Sequence, residues 1–262
     1  MKSIATLLSA AALGAAMLLS PGVAHAAAPN YVALGDSYAS GVGTRSYIES
    51  SGSCQRSVKA YPYLDAARIG ANLTFVACSG ARVADVTANQ LSAVTSAANI
   101  VSVQVGGNDA GFSSVITECA KPAWLADCTG AINNAQAIIN NTLPSRLNGL
   151  YSSIRSRAAS ARVVVVGYPR LFNGTDCNAG TFFSGDEMTR LNQTADLLNS
   201  KVAASASAVG FTFVNPTQAF IGHAVCGSPE WINGLSNPVS ESYHPNVNGH
   251  AAYANLVQPA LG

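Results

Sequence analysis

Short apolar segments alternate with longer amphipathic segments along this chain, and this alternation constrains its fold more than any other feature. Five of the apolar segments contain β-branched residues, and each ends at or next to a Gly, Cys or Asn that favours a turn. They are residues 31–34, 73–77, 100–105, 162–167 and 211–215. Continuous apolar runs of this length are typical of strands that are buried on both faces. The sequence therefore predicts five buried strands.

Helical periodicity fills the intervals between these strands. It covers residues 61–69, 83–94, 131–159 with a break near Pro144, 186–206 and 247–261. A capping box precedes the fourth of these segments, with Ser184 three residues before Glu187. Strands that alternate with helices form a mainly parallel sheet with helices on both faces, because crossover connections are right-handed. We expect an α/β fold, a three-layer α/β/α sandwich around a flavodoxin-like sheet of about five strands.

The first 26 residues have the composition of a secretory signal peptide. Lys2 gives a positive start, residues 4–19 are apolar, and residues 24–26 (Ala-His-Ala) offer a cleavage site between small residues. The apolar run ends at Pro21 and is shorter than a membrane span requires. We therefore expect this segment to be removed as a signal peptide. Residues 27–262 should form one domain without a transmembrane anchor, in a protein that is secreted and extracellular.

Charge and composition argue against some classes of partner. The full chain has 14 basic and 13 acidic residues, and the predicted signal removes one basic residue and no acidic one, which leaves a neutral mature chain. Only 10% of the residues are charged, and the most basic cluster is the pair Arg155 and Arg157. A nucleic-acid binder needs a basic face. We therefore expect no nucleic-acid partner.

All six cysteines lie in the predicted mature chain, and an even number in an exported protein favours disulfides. Six cysteines allow fifteen pairings, and the sequence alone does not choose among them. Pairing neighbours in order is our expectation, because it closes one short loop and two longer ones: Cys54–Cys78, Cys119–Cys128 and Cys177–Cys226. A zinc site is the alternative, but the chain has no C-x2-C pair and few histidines, so we expect no metal.

Polar blocks follow the predicted strands. GDSY (35–38) follows the first strand, CSGA (78–81) the second and GGND (106–109) the third, and SYHPN (242–246) precedes the last helix. The carboxyl ends of parallel strands meet at one edge of a sheet, where ligands collect. Acyl transfer needs a hydroxyl nucleophile, a base within hydrogen-bond reach and donors for the oxyanion. The blocks contain each of these, which points to Ser37 as the nucleophile and His244 as its base.

Donors for an oxyanion are present in the same blocks. Gly80 has no Cβ, which lets its N–H approach a substrate closely, and Asn108 carries a side-chain NH2. The N–H of Ser37 is a third donor. Asp36 and Asp109 stand beside these residues, and we expect each to hold its loop by bonding nearby N–H groups.

The four blocks, in this order and spread over most of the mature chain, resemble the SGNH subgroup of the GDSL lipase and esterase family. The most similar group known to us is that of secreted actinobacterial, Streptomyces-type lipases and phospholipases A1, which carry three disulfides. The resemblance implies the SGNH hydrolase fold, with Ser37, Gly80, Asn108 and His244 as the catalytic four. The G-x-S-x-G motif of α/β-hydrolases is absent, because Ala39 stands where that motif has glycine.

The sequence departs from this family at the third member of the catalytic triad. The family usually has an Asp three residues before the histidine, and this chain has Glu241 there. Glu241 is one methylene longer and could still orient the His244 ring, whereas the main-chain carbonyl of Ser242 could hold the ring instead. Both remain candidates, and we favour a Ser–His dyad with carbonyl support.

We therefore expect a serine carboxylic-ester hydrolase that acts on lipid esters, of the lipase or phospholipase A1 type, and that needs no cofactor. The choice of lipid esters rests on the resemblance. A carbohydrate acetylesterase or short-chain esterase is the alternative within the same class, and a secreted binding module without catalysis is the alternative from another class. We expect a lipid or other small ester as substrate and transient contact with a lipid interface. We expect the protein to be a monomer.

Some residues have an ordinary interpretation beside a functional one. Four aromatic residues in predicted irregular segments belong either to an acyl pocket or to the core, and we favour the core: Trp124, Trp231, Phe182 and Phe183. His223 is interpreted as a loop residue and His250 as part of the last helix, which leaves His244 as the base.

Overall fold

The computed structural model of the protein describes residues 27–262, so the predicted signal peptide lies outside the described residues. Five strands form one sheet: β1 (Asn30–Gly35), β2 (Asn72–Phe75), β3 (Ile100–Gln104), β4 (Arg162–Val166) and β5 (Thr212–Val214). All four pairings are parallel, and the order across the sheet is β2-β1-β3-β4-β5. This is the flavodoxin-like order. The predicted α/β fold is confirmed.

Helices and helical turns connect the strands. In the described part of the chain the α-helices are α1 (Ser37–Ser40), α2 (Tyr61–Arg68), α3 (Val83–Asp85), α4 (Phe112–Cys119), α5 (Cys128–Asn141), α6 (Leu143–Arg157), α7 (Gly185–Ala208) and α8 (Val247–Leu261). Shorter 3-10 turns cover Glu49–Cys54, Leu91–Ala93 and Val239–Glu241, and a π turn covers Val86–Gln90. No helix within residues 27–262 has both the length and the apolar character needed to cross a bilayer.

Helices cover both faces of the sheet. The α2 and α8 helices pack against each other, and α4, α5, α6 and α7 pack as a second group. The central strands β1, β3 and β4 are almost entirely buried, as the sequence predicts. The edge strands β2 and β5 are only half-buried, in contrast to the prediction, because a strand at the edge has a neighbour on one side only.

The α7 helix begins where the sequence predicts it. The Ser184 Oγ accepts a hydrogen bond from the Glu187 N–H, and the Glu187 carboxylate accepts one from the Ser184 N–H. This reciprocal capping box satisfies two backbone donors at the start of the helix. The buried face of α7 includes Met188, Leu191 and Leu198, which join the core beneath the sheet.

The predicted helix over residues 83–94 is instead a series of short turns. The buried Gln90 side chain forms two hydrogen bonds with the Gly35 backbone, of 2.8 Å to its N–H and 2.9 Å to its carbonyl. The segment also contains Val83, Val86 and Thr87, which are weak helix formers because they are branched at Cβ. The irregular segment thus supports the end of β1.

Three disulfides join the loops around the sheet. They are Cys54–Cys78, Cys119–Cys128 and Cys177–Cys226, the pairs that result from pairing neighbours in order. The first ties the loop after α1 to the end of the second strand. The second closes the link between α4 and α5, and the third joins the loops that follow β4 and β5.

Candidate active site

The end of β1 presents Ser37 on a tight turn. Gly35 has a φ of +142°, and a Cβ there would lie 2.4 Å from the carbonyl oxygen of Gln104, so only glycine fits between β1 and β3. Asp36 caps α1, with its Oδ1 accepting a hydrogen bond of 3.0 Å from the Tyr38 N–H. Ser37 is the first residue of the helix, so its own N–H has no acceptor within the helix.

His244 reaches the nucleophile from the loop before α8. Its Nε2 lies 2.8 Å from Ser37 Oγ, and its Nδ1 lies 2.9 Å from the carbonyl oxygen of Ser242. Burial lowers the pKa of His244 to about 4, so the ring is neutral at neutral pH. A neutral ring that donates from Nδ1 to the Ser242 carbonyl has a free lone pair on Nε2. This tautomer accepts the Ser37 hydroxyl proton.

Tyr38 connects the nucleophile turn to the histidine loop. Its hydroxyl donates a hydrogen bond of 2.6 Å to the carbonyl of Tyr243, and its ring lies 5.3 Å from the His244 ring. Tyr243 has a φ of +60°, which is uncommon for a residue with a side chain. Tyr38 belongs to the GDSY block, but no role for it follows from the sequence. The structure shows that it holds the residue next to His244.

The Glu241 carboxylate forms no hydrogen bond with the His244 ring, although the sequence makes it a candidate to orient that ring. This buried carboxylate accepts a hydrogen bond of 2.7 Å from Arg45 Nε and another of 2.7 Å from the Tyr47 hydroxyl. Both carboxylate oxygens are therefore directed away from Nδ1, and the Ser242 carbonyl takes that position. The carboxylate is near enough for its negative charge to raise the pKa of His244 somewhat against the effect of burial.

Replacing Glu241 with alanine is expected to lower kcat only a few-fold. The ring keeps its hydrogen bond to the Ser242 carbonyl, and only the more distant charge is lost. Steady-state kinetics on a soluble ester, with Arg45→Ala as the matched variant that loses the same ion pair, measures this. A loss near the about 10⁴-fold that follows damage to a triad acid would show that Glu241 acts directly.

Asn108 follows β3 in the turn that the sequence singles out. One N–H of its side chain donates to the Ala81 carbonyl at 3.1 Å, which leaves the second N–H for another acceptor. The residue is half-buried and lines a pocket together with Ser37. Its position suits a donor to an oxyanion formed at Ser37.

Gly80 lies next to this donor, and its backbone conformation also favours glycine. Its φ is +78°, and a Cβ there would meet no atom of the protein within 4 Å. Glycine is favoured by the backbone conformation, not by crowding from the protein. The Cys78 N–H donates to the Gly35 carbonyl at 3.0 Å, and the Ala81 carbonyl accepts from Asn108. Gly80 is thereby held between the nucleophile turn and the amide.

Tyr168 joins two of the functional turns, and sequence reasoning does not identify it. Its hydroxyl donates to Asp36 Oδ2 and accepts a hydrogen bond of 3.3 Å from the Gly107 N–H. The nucleophile turn and the turn that carries Asn108 are therefore linked through one phenol. Burial raises the pKa of Asp36 to about 7. Tyr168 follows β4 and Gly167 in the chain. Because ligands collect at the carboxyl ends of parallel strands, this position could have indicated it.

Asp109 supports its loop, as the sequence predicts. Its Oδ1 accepts a hydrogen bond of 3.0 Å from Arg146 Nη1, and its Oδ2 accepts one of 2.9 Å from the Val83 N–H. Both oxygens are thus used by the protein itself. Among residues 27–262, no group of three or more His, Cys, Asp or Glu side chains is placed to hold a metal ion.

A mostly apolar pocket begins at Ser37. The α4, α5 and α7 helices line it, together with the residues that follow β4. Apolar side chains dominate its lining, among them Phe112, Val115, Ile116, Ile139, Leu191 and Leu198. The pocket therefore offers an apolar group a place beside the nucleophile.

The aromatic residues considered from the sequence do not line this pocket. Phe183 is buried as expected, and Trp231 is partly buried with its ring 3.8 Å from the His223 ring. The expectation that Trp124 and Phe182 belong to the core is wrong, because their side chains are 81% and 56% exposed. The pocket is lined instead by residues such as Ile139, Leu191 and Leu198. Their helical periodicity in the sequence indicates that they are buried, but not that they line a pocket.

The activity is expected to persist in acid solution. The neutral His244 ring is the form that accepts a proton, so kcat/KM should fall as the pH drops through a pKa of about 4, well below 6.5. A pH profile of kcat/KM on a soluble ester measures this. Titration of Asp36, whose pKa is about 7, would add a second change to the pH profile. The Asp36→Asn variant lacks this titration and so shows the effect of His244 alone. An acid limb centred on 6.5 in that variant would contradict the effect of burial on His244.

Similarity to known proteins agrees with this geometry. Residues 33–252 match the model of the GDSL-like lipase/acylhydrolase family. The chain belongs to this family. The match begins within β1 and ends within α8, so it includes all four blocks.

Several Streptomyces proteins are similar members of the family. The chain is 44% identical to Lipase 1 of Streptomyces coelicolor over 86% of this chain and 84% of the lipase. It is 43% identical to the extracellular lipase of Streptomyces rimosus, whose crystal structure superposes with a TM-score of 0.83 over 89% of this chain and 100% of that one. Phospholipase A1 of Streptomyces albidoflavus is 42% identical, with a TM-score of 0.83 over 90% of this chain and 98% of that one.

Proposed function

We propose that the protein hydrolyses carboxylic esters of lipids, as a lipase or phospholipase A1, with Ser37 as nucleophile and His244 as base. The observation that carries the proposal is the 2.8 Å hydrogen bond between Ser37 Oγ and His244 Nε2, beside an apolar pocket that Ser37 itself lines. The lipases and the phospholipase A1 among its relatives support the choice of substrate class.

The first step forms an acyl-enzyme. The Ser37 oxygen attacks the ester carbonyl carbon while its proton passes to His244 Nε2. The tetrahedral oxyanion accepts hydrogen bonds from the backbone N–H groups of Ser37 and Gly80 and from the Asn108 side chain. His244 then gives the proton to the alcohol oxygen as the bond between that oxygen and the carbonyl carbon breaks. The alcohol leaves, and the acyl group stays on Ser37.

The second step releases the acyl group. A water molecule attacks the acyl carbon while His244 Nε2 accepts one of its protons, and the same donors hold the second oxyanion. The proton returns to the Ser37 oxygen as its bond to the acyl carbon breaks, which yields a carboxylic acid and free enzyme. In both steps the Ser242 carbonyl stabilises the imidazolium, because its hydrogen bond to Nδ1 partly offsets the lowering of the His244 pKa by burial. The hydrogen bond to the Ser242 carbonyl supports a Ser–His dyad.

The pocket favours an acyl chain over an acetyl group. An acetyl group has one methyl to bury, whereas the lining supplied by α4, α5 and α7 continues beyond Ser37 with aliphatic and aromatic side chains. Each methylene that enters an apolar site contributes about 0.8 kcal/mol. We therefore expect kcat/KM to rise with acyl-chain length until the pocket is full.

Secretion is part of the proposal. The sequence of residues 1–26 has the features of a signal peptide, and three disulfides suit an oxidising compartment outside the cytoplasm. The Streptomyces rimosus relative is an extracellular lipase. Recovery from the culture medium of a protein that begins at Ala27 would agree with this, and retention of Met1 would contradict it.

Hydrolysis by the purified secreted form tests the function. The substrates are phosphatidylcholine labelled separately in its sn-1 and sn-2 chains, triolein, and p-nitrophenyl esters from acetate to palmitate, with EDTA present throughout. Cleavage of long-chain esters that is lost in Ser37→Ala is the expected result, and release of the sn-1 chain identifies a phospholipase A1. Activity confined to acetate would favour an acetylesterase, and no activity on any ester would favour a binding module.

A further inference from the structure

The link between α4 and α5 exposes two apolar side chains at adjacent positions. Trp124 is 81% exposed and Leu125 is 58% exposed, so the rest of the described chain covers little of either. Single exposed apolar residues are common on protein surfaces. A tryptophan beside a leucine on a short loop is a more concentrated apolar surface, and it lies outside the catalytic site.

This loop is held in one shape. The Cys119–Cys128 disulfide closes it at its base, and the Leu125 N–H donates to the Pro122 carbonyl at 2.8 Å. The Asp127 N–H donates to Glu118 Oε1 at 2.8 Å. Because the backbone is fixed before any partner arrives, little conformational entropy is lost when the exposed side chains are buried.

The charges of the loop are used locally. Lys121 pairs with Glu118, one turn earlier in the chain. The Asp127 carboxylate accepts a hydrogen bond of 2.9 Å from the Gly130 N–H and caps α5. Residues 122–126, which form the tip, carry no charged side chain, so the tip would gain little from a charged partner.

The loop connects α4 and α5, two of the helices that line the pocket. The α4 helix contributes Phe112, Val115 and Ile116 to the pocket, and the Phe112 ring lies 6.1 Å from the His244 ring. From Phe112 to Cys119 the helix rises by about 10 Å, at 1.5 Å per residue. The α5 helix, which leaves the loop, lines the same pocket through Ile139. The apolar tip thus lies between two helices that both contribute side chains to the pocket beside Ser37.

We propose that Trp124 and Leu125 anchor the protein in the surface of an uncharged or zwitterionic lipid aggregate and so hold the pocket against that surface. This inference rests on the proposed function, because it assigns a docking device to the same site. Tryptophan suits the boundary between lipid headgroups and acyl chains, since its ring is apolar and its N–H is polar. Electrostatics contributes little, so the binding is insensitive to salt.

A lipid surface fits the tip better than a second copy of this chain. A stable protein interface buries about 800 Å² on each partner. One tryptophan supplies about 150–250 Å², and the neighbouring leucine adds less. Two side chains are therefore too few for a stable dimer, but they suffice to deepen the contact of a protein with a lipid surface.

Vesicle binding tests the anchor without turnover. The protein has two tryptophans, so a Ser37→Ala, Trp231→Phe variant reports on Trp124 alone. With phosphatidylcholine vesicles its fluorescence should shift to the blue, and Trp124→Ser with Leu125→Ser should weaken co-sedimentation about tenfold. Absence of the shift, or equal binding by the double variant, would overturn the inference. So would loss of an oligomer in the double variant with unchanged vesicle binding.

Kinetics separates this inference from the proposed function. The double variant should hydrolyse soluble p-nitrophenyl butyrate with unchanged kcat/KM. Its rate of hydrolysis on phosphatidylcholine vesicles should fall about tenfold. Ile221→Ser is the matched control, because Ile221 is 56% exposed in the loop after β5 and does not line the acyl pocket. It should change neither rate. Equal losses on both substrates would contradict the anchor, whereas wild-type protein inactive on both would contradict the proposed function.

Discussion

Replacing His244 with alanine is expected to lower kcat for a soluble ester by on the order of 10⁶-fold with little change in KM. The Ser37 hydroxyl lies 2.8 Å from His244 Nε2, and loss of the ring removes the group that takes its proton. The oxyanion donors remain, so the residual rate should still exceed that of the reaction in water. Single-turnover kinetics on p-nitrophenyl butyrate measures the acylation step directly.

His223→Ala is the matched control for this experiment. The His223 ring stacks on Trp231 and its Nδ1 lies 2.7 Å from the Pro229 carbonyl oxygen, away from Ser37. Its loss should leave kcat nearly unchanged. Added imidazole should restore part of the activity of His244→Ala and none in Ser37→Ala. Near-normal activity in a folded His244→Ala protein would mean that another group serves as the base.

Replacing Asn108 with alanine is expected to lower kcat by about 10²- to 10³-fold and to leave KM nearly the same. One amide N–H is occupied by the Ala81 carbonyl, and the second is the one assigned to the oxyanion. Charge develops on that oxygen only in the transition state, so the loss falls on kcat and not on substrate binding. Steady-state kinetics over a range of substrate concentrations separates the two parameters.

A structural role for Asn108 would give a different result. If it only holds the loop at Ala81, Asn108→Ala should lower the melting temperature and leave kcat of the folded protein intact. Asn108→Asp keeps the size of the side chain and removes both donor hydrogens, so it should be at least as slow as the alanine variant. Asn133→Ala, on the exposed face of α5, is the matched control and should leave kcat unchanged.

The sheet could be predicted because its strands are encoded locally. A run such as Arg162–Val166 consists mostly of valine, which suits a buried strand and disfavours a helix. The short α4 helix was not predicted, since it follows Gly111 in a left-handed conformation and contains Ser113, Ser114 and Thr117, all weak helix formers. The irregular segment before β3 was not predicted either, because its shape depends on the contact of Gln90 with Gly35, 55 residues earlier.

The four residues proposed for catalysis could be named from the sequence because each follows a strand or precedes the last helix. The position of Glu241 could not, since it depends on Arg45 and Tyr47, which lie 196 and 194 residues earlier in the chain. The place of Tyr168 after the fourth strand could have been noted from the sequence, but the bonds of its phenol could not, because its partners come from two other turns. The pocket was hidden because Ile139, Leu191 and Leu198 follow the same helical periodicity as the core, and because α4 was not predicted.

Localisation of a fluorophosphonate adduct by mass spectrometry is the most direct test of Ser37 as the nucleophile. The phosphorus of the reagent is attacked as an ester carbonyl would be, and the product stays bound to the attacking oxygen. We expect one adduct per chain, on Ser37, with loss of ester hydrolysis in proportion to labelling. Labelling should be absent in Ser37→Ala and much slower in His244→Ala. An adduct on another residue, or full hydrolysis by Ser37→Ala, would contradict the account.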